Sequence, residues 1–165
     1  YAVKYKNQYT GCWLSHGTDN IDYNGVKTTV TREPQYVEKY DLRYLATTSL
    51  KQCTYPITTT VTQLNSKGKN TEVEITRNLV LTFDDAGNCT LSSADADFLV
   101  TGTGKWTYHG AKKAWNDTDR DLIDLTYDAT FKYNYGTEAR YKKISTKESL
   151  IMRDRQSKFE TFNIK

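Results

Sequence analysis

DLIDLTYDATFKY, residues 121–133, shows the character of this chain most clearly. Its apolar side chains occupy alternate positions, and mostly polar side chains stand between them. Successive side chains of a β-strand point to opposite faces, so the alternation predicts a strand that is buried on one face and solvated on the other. We expect the buried face to carry Ile123, Leu125, Tyr127, Ala129, Phe131 and Tyr133.

The rest of the chain consists of similar short runs separated by turn signals, with almost no helical periodicity. The signals are YNGV at 23–26, NSKGKN at 65–70, DDAGN at 84–88 and the polar stretch GAKKAWNDTDRD at 110–121. This regular spacing predicts an all-β antiparallel meander of about eight to ten strands, forming one closed barrel or a two-sheet sandwich. No linker or repeat divides the 165 residues, so we expect residues 1–165 to form a single domain.

TGTGKWTYHG, residues 101–110, begins like a phosphate-binding loop. Such a loop requires a lysine followed by Ser or Thr at the start of a helix, whereas Lys105 is followed by Trp106 and further strand-forming residues. Counted by parity, Gly102 and Gly104 share the apolar face with Trp106 and Tyr108. Glycine on the buried face of a strand marks a bend or a close approach of a neighbour, which is the role we expect here.

Composition excludes several classes of protein. Lys and Arg number 23 against 20 Asp and Glu, for a formal charge of +3 with the signs interspersed, which argues against a nucleic-acid-binding surface. No apolar run approaches the ~18 residues of a membrane-spanning segment. Cys12, Cys53 and Cys89 match no zinc or redox spacing, and we expect free, buried thiols.

Candidate catalytic and metal-binding motifs are weak. NDTDRD, residues 116–121, places aspartates at alternate positions as a calcium loop does, but Leu122 stands where that loop requires glycine. His16 and His109 have no metal-ligand spacing, and no nucleophile motif occurs. We therefore expect a polar hairpin loop at 116–121, no metal or other cofactor, no catalytic residues and no enzymatic activity.

Aromatic residues are the most plausible means of binding a ligand, because rings stack on sugars while neighbouring polar groups bond to the hydroxyls. Trp115 leads the candidates, since a tryptophan in a predicted polar loop is poorly explained as core. A second group of tyrosines flanks the next predicted loop. The complete set of candidate ligand-binding residues is Tyr108, His109, Trp115, Arg120, Tyr135 and Tyr141.

Two features favour a closed barrel over a sandwich. YTGCWLSHG, residues 9–17, contains a G-x-W formed by Gly11 and Trp13, and SLIMRDR, residues 149–155, places Arg153 on the last predicted strand. Lipocalin-like (calycin-type) barrels of about eight strands have a similar tryptophan, and an arginine of the final strand packs over its ring. The resemblance implies that Trp13 is buried and that Arg153 covers it.

The segments VTGTGKWTYHGAKKAWNDTDRDLIDLTYDATF, from residue 100, and ESLIMRDRQSKFETF, from residue 148, resemble the C-terminal domain of a family of Bacteroidetes cell-surface lipoproteins of unknown function. The shared pattern is a TGTGKW-type strand, a polar loop, a strand opening with R-D and a terminal L-x-x-R-D-R; Asp119 departs from the basic residue expected there. Because members are often encoded beside outer-membrane glycan importers, the resemblance implies a lipid-anchored location at the outer membrane, facing outwards. The first residue, Tyr1, is consistent with a fragment of such a longer protein.

Three functions remain open on this evidence. The first is an accessory domain that binds a polysaccharide or oligosaccharide. The second is a lipocalin-like carrier of a small apolar ligand, which requires a hollow barrel. The third is a scaffold whose partner is an outer-membrane importer component or its own N-terminal domain.

Overall fold

The computed structural model describes residues 6–155, which form one antiparallel β-sheet and a single 3-10 turn, Val37–Lys39. No helix in this range is long and apolar enough to cross a membrane. The strands are β1 (Gly11–Tyr23), β2 (Val26–Arg32), β3 (Asp41–Ser49), β4 (Gln52–Leu64), β5 (Asn70–Phe83), β6 (Asn88–Ser92), β7 (Phe98–Trp115), β8 (Thr118–Tyr135) and β9 (Glu138–Asp154).

The sheet closes on itself because its first and last long strands pair. β1 and β9 are antiparallel partners from Cys12 with Asp154 to Tyr23 with Lys142. The remaining strands follow in the order β3 to β9 around the ring, and β2 lies beside β1 as an additional strand. The all-β antiparallel prediction is therefore confirmed, with one ring-shaped sheet instead of the two-sheet alternative.

Hairpin turns occur where the sequence signals them, with one exception. Asn24 and Gly25 both have positive φ angles, as the two central residues of a tight hairpin turn require. The polar stretch 110–121 does contain a turn, but the hairpin loop expected at 116–121 is much shorter, because β7 continues to Trp115 and β8 begins at Thr118. The turn is only Asn116 and Asp117, both also at positive φ, and the polar residues around it belong to a long two-stranded ribbon.

The alternate apolar residues of β8 face the interior of the ring. All six residues predicted to be buried in the stretch 121–133 are buried. Five of them, all except Tyr133, belong to one core cluster with Trp13, Leu45, Leu79, Phe98 and Leu150, which is the arrangement that a period-two pattern demands. The three cysteines are free thiols, all buried.

Trp13 and Arg153 do not form the expected stack. Trp13 is fully buried, pairs with Met152 on β9, and donates its indole N–H to the Tyr9 carbonyl oxygen at 3.0 Å. Arg153 follows Met152, so the alternation of the strand turns it to the other face, where its Nη1 lies 4.0 Å from Cys12 Sγ and 3.6 Å from Asp154. The expectation that Arg153 covers the Trp13 ring is therefore corrected.

The glycines singled out in the sequence stand where strands approach closely. A Cβ at Gly102 would lie 2.4 Å from Tyr127 Cβ, and one at Gly104 would lie 2.5 Å from the Asp124 carbonyl oxygen. At Gly11, φ is +151° and a Cβ would lie 2.6 Å from the Asp154 carbonyl oxygen. These contacts account for the glycines through packing between neighbouring strands.

The ring is incomplete on one side, and we call this opening the split. β1 is bordered first by β3 and then by β2, whereas β3 meets β4 only between Ala46–Thr54 and Ser49–Gln52. Within the described chain, no strand borders the rest of β4 on that side. Side chains form hydrogen bonds with some of the unpaired backbone groups of β4. The Thr62 amide donates to Tyr23 Oη at 2.8 Å, and Lys142 Nζ donates to the Thr60 carbonyl oxygen at 2.7 Å.

Candidate functional site

A cavity of about 300 Å³ opens at the split. Its wall includes residues of β1 to β4 on the open side and of β8 and β9 on the far side of the ring. Apolar residues such as Ile57 and Phe131 contribute to this wall, but so do seven ionisable or hydroxyl-bearing side chains from the interior. These are Asp19, Arg32, Arg43, Tyr55, Tyr127, Thr146 and Glu148.

Gly17 makes room for the charged part of this cluster. It pairs with Arg32 of β2 on one side and with Glu148 of β9 on the other. The two flanking backbones are roughly 10 Å apart, twice the spacing of neighbouring strands. Because position 17 has no side chain, the Arg32 side chain can lie over β1 and bring its Nη2 to 3.3 Å from Glu148 Oε2.

Glu148 is buried, and both of its carboxylate oxygens accept hydrogen bonds. Oε1 accepts from the hydroxyls of Tyr55 at 3.0 Å and Tyr127 at 3.1 Å. Oε2 accepts from Ser15 Oγ at 2.7 Å, in addition to the contact with Arg32. A buried carboxylate is stable only when it is paired and fully hydrogen-bonded, and this one meets both conditions.

Arg32 holds a second carboxylate nearer the solvent. Its Nε donates to Asp19 Oδ2 at 2.8 Å and its Nη2 lies 3.3 Å from Asp19 Oδ1, which also accepts from Thr146 Oγ1 at 2.8 Å. This two-pronged geometry is the strong form of an arginine–carboxylate pair. One guanidinium thus orders the carboxylates of both β1 and β9.

The pKa shifts follow from burial and from these neighbours. Burial raises the pKa of the Tyr55 and Tyr127 phenols well above the usual value, and the charge of Glu148 raises both further. Burial alone would lower the pKa of Arg32, but the hydrogen bond and charge of Asp19, with the charge of Glu148, outweigh it and raise the pKa. The phenols therefore stay protonated as donors to Glu148, and Arg32 stays cationic.

The cluster has a buried lower layer, whose hydrogen bonds are satisfied within the protein, and a partly exposed upper layer nearer the solvent. Tyr55, Tyr127 and Glu148 are buried, whereas the side chains of Asp19, Arg32 and Arg43 are partly exposed. A carboxylate and guanidinium groups at one wall can accept from and donate to the same hydroxyl-bearing ligand.

The mouth of the cavity adds an exposed aromatic ring. Tyr44, on the wall of the cavity, is 46% exposed, and Leu42 beside it is also exposed. Together with the polar upper layer, this ring forms the kind of mixed apolar and polar site that binds small polar molecules.

The structure separates the six predicted ligand-binding residues into two groups. Tyr108, His109, Trp115 and Arg120 lie on the β7–β8 ribbon, whereas Tyr135 and Tyr141 lie near the β8–β9 turn. Along β8 the two groups are roughly 50 Å apart at the rise of a strand, and none of the six lines the cavity.

Each group has its own local contacts. Arg120 Nη1 donates to the Arg153 carbonyl oxygen at 3.1 Å, and the Arg140 guanidinium lies 3.9 Å from the centre of the Tyr135 ring. Tyr108, which parity placed on the apolar face, is 65% exposed because the β7–β8 register shifts after Thr107.

Two aspartates of the predicted hairpin loop, Asp119 and Asp121, accept hydrogen bonds from backbone amides of β7. Asp119 accepts from the Lys113 amide at 3.0 Å, and buried Asp121 accepts from the His109 amide at 3.0 Å and from Arg155 Nη2 at 2.9 Å. Between residues 6 and 155, no three His, Cys, Asp or Glu side chains come together as metal ligands.

Sequence reasoning missed the cavity cluster, although β1 carries a signal for it. Ser15, Gly17 and Asp19 stand at alternate positions that continue the inward face begun by Trp13. A glycine flanked by polar residues on the buried face of a strand indicates a close approach between polar groups. Arg32 and Glu148 could not be matched to it without the strand register.

The fold and the cavity define a closed antiparallel β-domain with a polar, solvent-connected site. The chain belongs to the family described as domain of unknown function (DUF5627), whose profile matches residues 8–156. No curated protein matches the sequence.

Two solved structures from Bacteroides ovatus are similar. One is a structural genomics protein of unknown function, with 28% identity and a TM-score of 0.77 over 96% of this chain and 46% of that one. The other is a multidomain protein including DUF1735, with 15% identity and a TM-score of 0.53 over 88% of this chain and 50% of that one, a likeness of fold alone. The chain thus spans about half the length of each.

Proposed function

We propose that this chain is a non-catalytic accessory domain that binds carbohydrate in the cavity at the split. The observation that carries the proposal is the ordered layer of Asp19, Arg32 and Arg43 beside the exposed ring of Tyr44. Sugars present hydroxyls that both donate and accept hydrogen bonds, together with C–H faces that stack on aromatic rings. The cavity offers a partner for each of these groups.

The state of the interior carboxylates supports a binding role over catalysis. Asp19 and Glu148 both pair with the same guanidinium, that of Arg32. Glycoside hydrolysis needs two carboxyl groups that flank the scissile bond and can exchange protons. Carboxylates that are both paired with one arginine do not flank a bond in this way.

We also propose that the domain is located at the cell surface. Its support is the resemblance of residues 100–131 and 148–162 to Bacteroidetes surface lipoproteins, and the similarity at 28% identity to a protein of Bacteroides ovatus. In this setting the domain would hold a glycan near an outer-membrane importer, and importer components or another domain of a longer chain would be its protein partners.

The carrier hypothesis retains one supporting observation, the volume of about 300 Å³. A small apolar ligand would have to lie against Asp19, Arg32 and Arg43, whose desolvation opposes its binding. Carbohydrate is therefore the better match, and displacement of an apolar fluorescent probe from the cavity by a fatty acid would favour the carrier instead.

The test is a calorimetric titration with cellohexaose, xylohexaose, mannohexaose and maltohexaose. Tyr44→Ala should weaken binding of the recognised hexaose by about tenfold or more, since aromatic contact residues commonly dominate such sites. Tyr36→Ala is the matched control, because Tyr36 is 56% exposed and does not line the cavity. If no hexaose binds, or if both variants lose affinity equally, the proposal is wrong.

A further inference from the structure

We propose a second carbohydrate-contact surface, formed by Trp106, Tyr108 and His109 and called here the aromatic ledge. Its ligand class rests on the proposed function, but its residues are separate from the cavity. The ledge lies at the end of the ring that Tyr9 covers, beside the β3–β4 and β5–β6 turns.

The ledge is the outer part of a series of aromatic rings that runs from the core to the solvent. Tyr9 stacks on Phe83 with centroids 3.7 Å apart, and Trp106 meets the Tyr9 ring edge-on at 5.6 Å. The Tyr108 ring follows at 6.4 Å from Trp106. Because Trp106 packs against the core, the inner end of the ledge is anchored.

Tyr108 and His109 lie face to face, so each ring covers one face of the other and the outer face of Tyr108 is left open to the solvent. Their rings are stacked with centroids 3.8 Å apart and an angle of 17° between the planes. Tyr108 is 65% exposed. A soluble domain has little structural reason to stack two rings outside its core, whereas a sugar binds to such a face through its C–H groups.

The backbone is held in an unfavourable conformation that turns these rings outwards. His109 has φ of +49°, in the left-handed region that residues with side chains rarely adopt. The register between β7 and β8 shifts between Thr107 and Ala111, and the buried carboxylate of Asp121 accepts the His109 amide at 3.0 Å. Strain that is fixed by a buried group, at a bulge that redirects side chains, is a common feature of binding sites.

A polar depression of about 370 Å³ adjoins the ledge at Trp106. Gln8, Lys51 and Asp85 lie around it, and Lys51 pairs with Asp85. These groups can exchange hydrogen bonds with sugar hydroxyls while a ring of the ledge supports the sugar face.

The experiment uses the same four hexaoses with the intact chain. Tyr108→Ala should weaken binding of the recognised hexaose by about tenfold or more. His109→Gly removes the second ring and suits the positive φ, so it should also weaken binding while the melting temperature stays unchanged or rises. Tyr36→Ala again serves as the exposed-tyrosine control.

The outcomes separate this inference from the proposed function. If Tyr108→Ala and His109→Gly weaken binding and Tyr36→Ala does not, the ledge contacts sugar. If Tyr44→Ala alone weakens binding, the cavity proposal stands and the ledge inference is overturned. If none of the hexaoses binds, or if the ledge variants and Tyr36→Ala behave alike, the ledge inference is also overturned.

Discussion

At the scale of single residues, Gly17 shows how closely the strands must approach for the cavity cluster to form. A Cβ at this position would lie 2.3 Å from the Lys147 carbonyl oxygen and 2.7 Å from Glu148 Cα. Both neighbours are backbone atoms of β9, so they could yield only if the strand moved. The same strand carries the carboxylate on which Ser15 and Arg32 converge.

We therefore expect Gly17→Ala to destabilise the protein by about 1–3 kcal/mol, the usual effect of an added methyl group in a packed site. It should also weaken hexaose binding, because β9 would move away from Arg32. Urea unfolding followed by fluorescence measures the first effect and calorimetry the second. Thr18→Ala, on the outer face of the same strand, is the control, and equal stability of the two variants would contradict the prediction.

At the scale of elements, β2 depends on a single side chain for its link to the interior. Its residues Val26–Thr31 are exposed, and only Arg32 is partly buried. Removing Arg32 would leave Asp19 and Glu148 without a counter-charge, and an unpaired buried charge is strongly destabilising.

Arg32→Ala should accordingly lower the free energy of unfolding by about 3–5 kcal/mol. Lys112→Ala removes an exposed cation whose partner, Asp119, is also exposed, and should change stability by less than about 1 kcal/mol. Chemical denaturation of both variants at one pH makes the comparison. A loss of less than about 1 kcal/mol for Arg32→Ala would show that the cluster does not hold β2.

The two edges of the second half of β4 differ in the partners of their backbone hydrogen bonds. Thr60 and Thr62 direct backbone groups to the split, where Lys142 and Tyr23 meet them. Pro56 has the same parity, so the amide proton it lacks would also face the split. The other edge is paired with β5 along the whole strand.

Hydrogen exchange should therefore alternate along this strand. We expect the amides of Thr58 and Thr60 to exchange much faster than those of Thr59 and Val61, whose parity directs them to β5. Residue-resolved exchange measured by NMR tests this. Uniform protection from Thr58 to Val61 would mean that another strand occupies the split.

The elements could be predicted from the sequence where a local pattern specifies them. The alternation at 121–133 gave the buried face of β8, and YNGV gave the β1–β2 turn. The β7–β8 ribbon was missed because its turn residues, Asn116 and Asp117, adopt positive φ without glycine. The cavity cluster was missed for another reason: Arg32 and Glu148 are distant in sequence, and only the register on either side of Gly17 joins them.

At the scale of the whole molecule, the two proposed contact surfaces occupy different parts of one ring. The end covered by Tyr9 is packed with aromatic rings, and its candidate surface is a rigid ledge. The split side lacks part of its strand pairing, and its candidate surface is a cavity between strands. A ledge suits the face of a polymer, whereas a cavity suits one residue or one chain end of it.

The pairing of β1 with β9 also governs the order of events during synthesis. Cys12 cannot meet Asp154 until nearly the entire domain has left the ribosome, so the ring cannot close before β9 has been synthesised. Until then, the outer edge of β8 and one edge of β1 stay open to pairing with other chains. A topology with such distant contacts folds slowly, on the scale of milliseconds to seconds, and this interval is when the nascent domain is most exposed to aggregation and most dependent on chaperones.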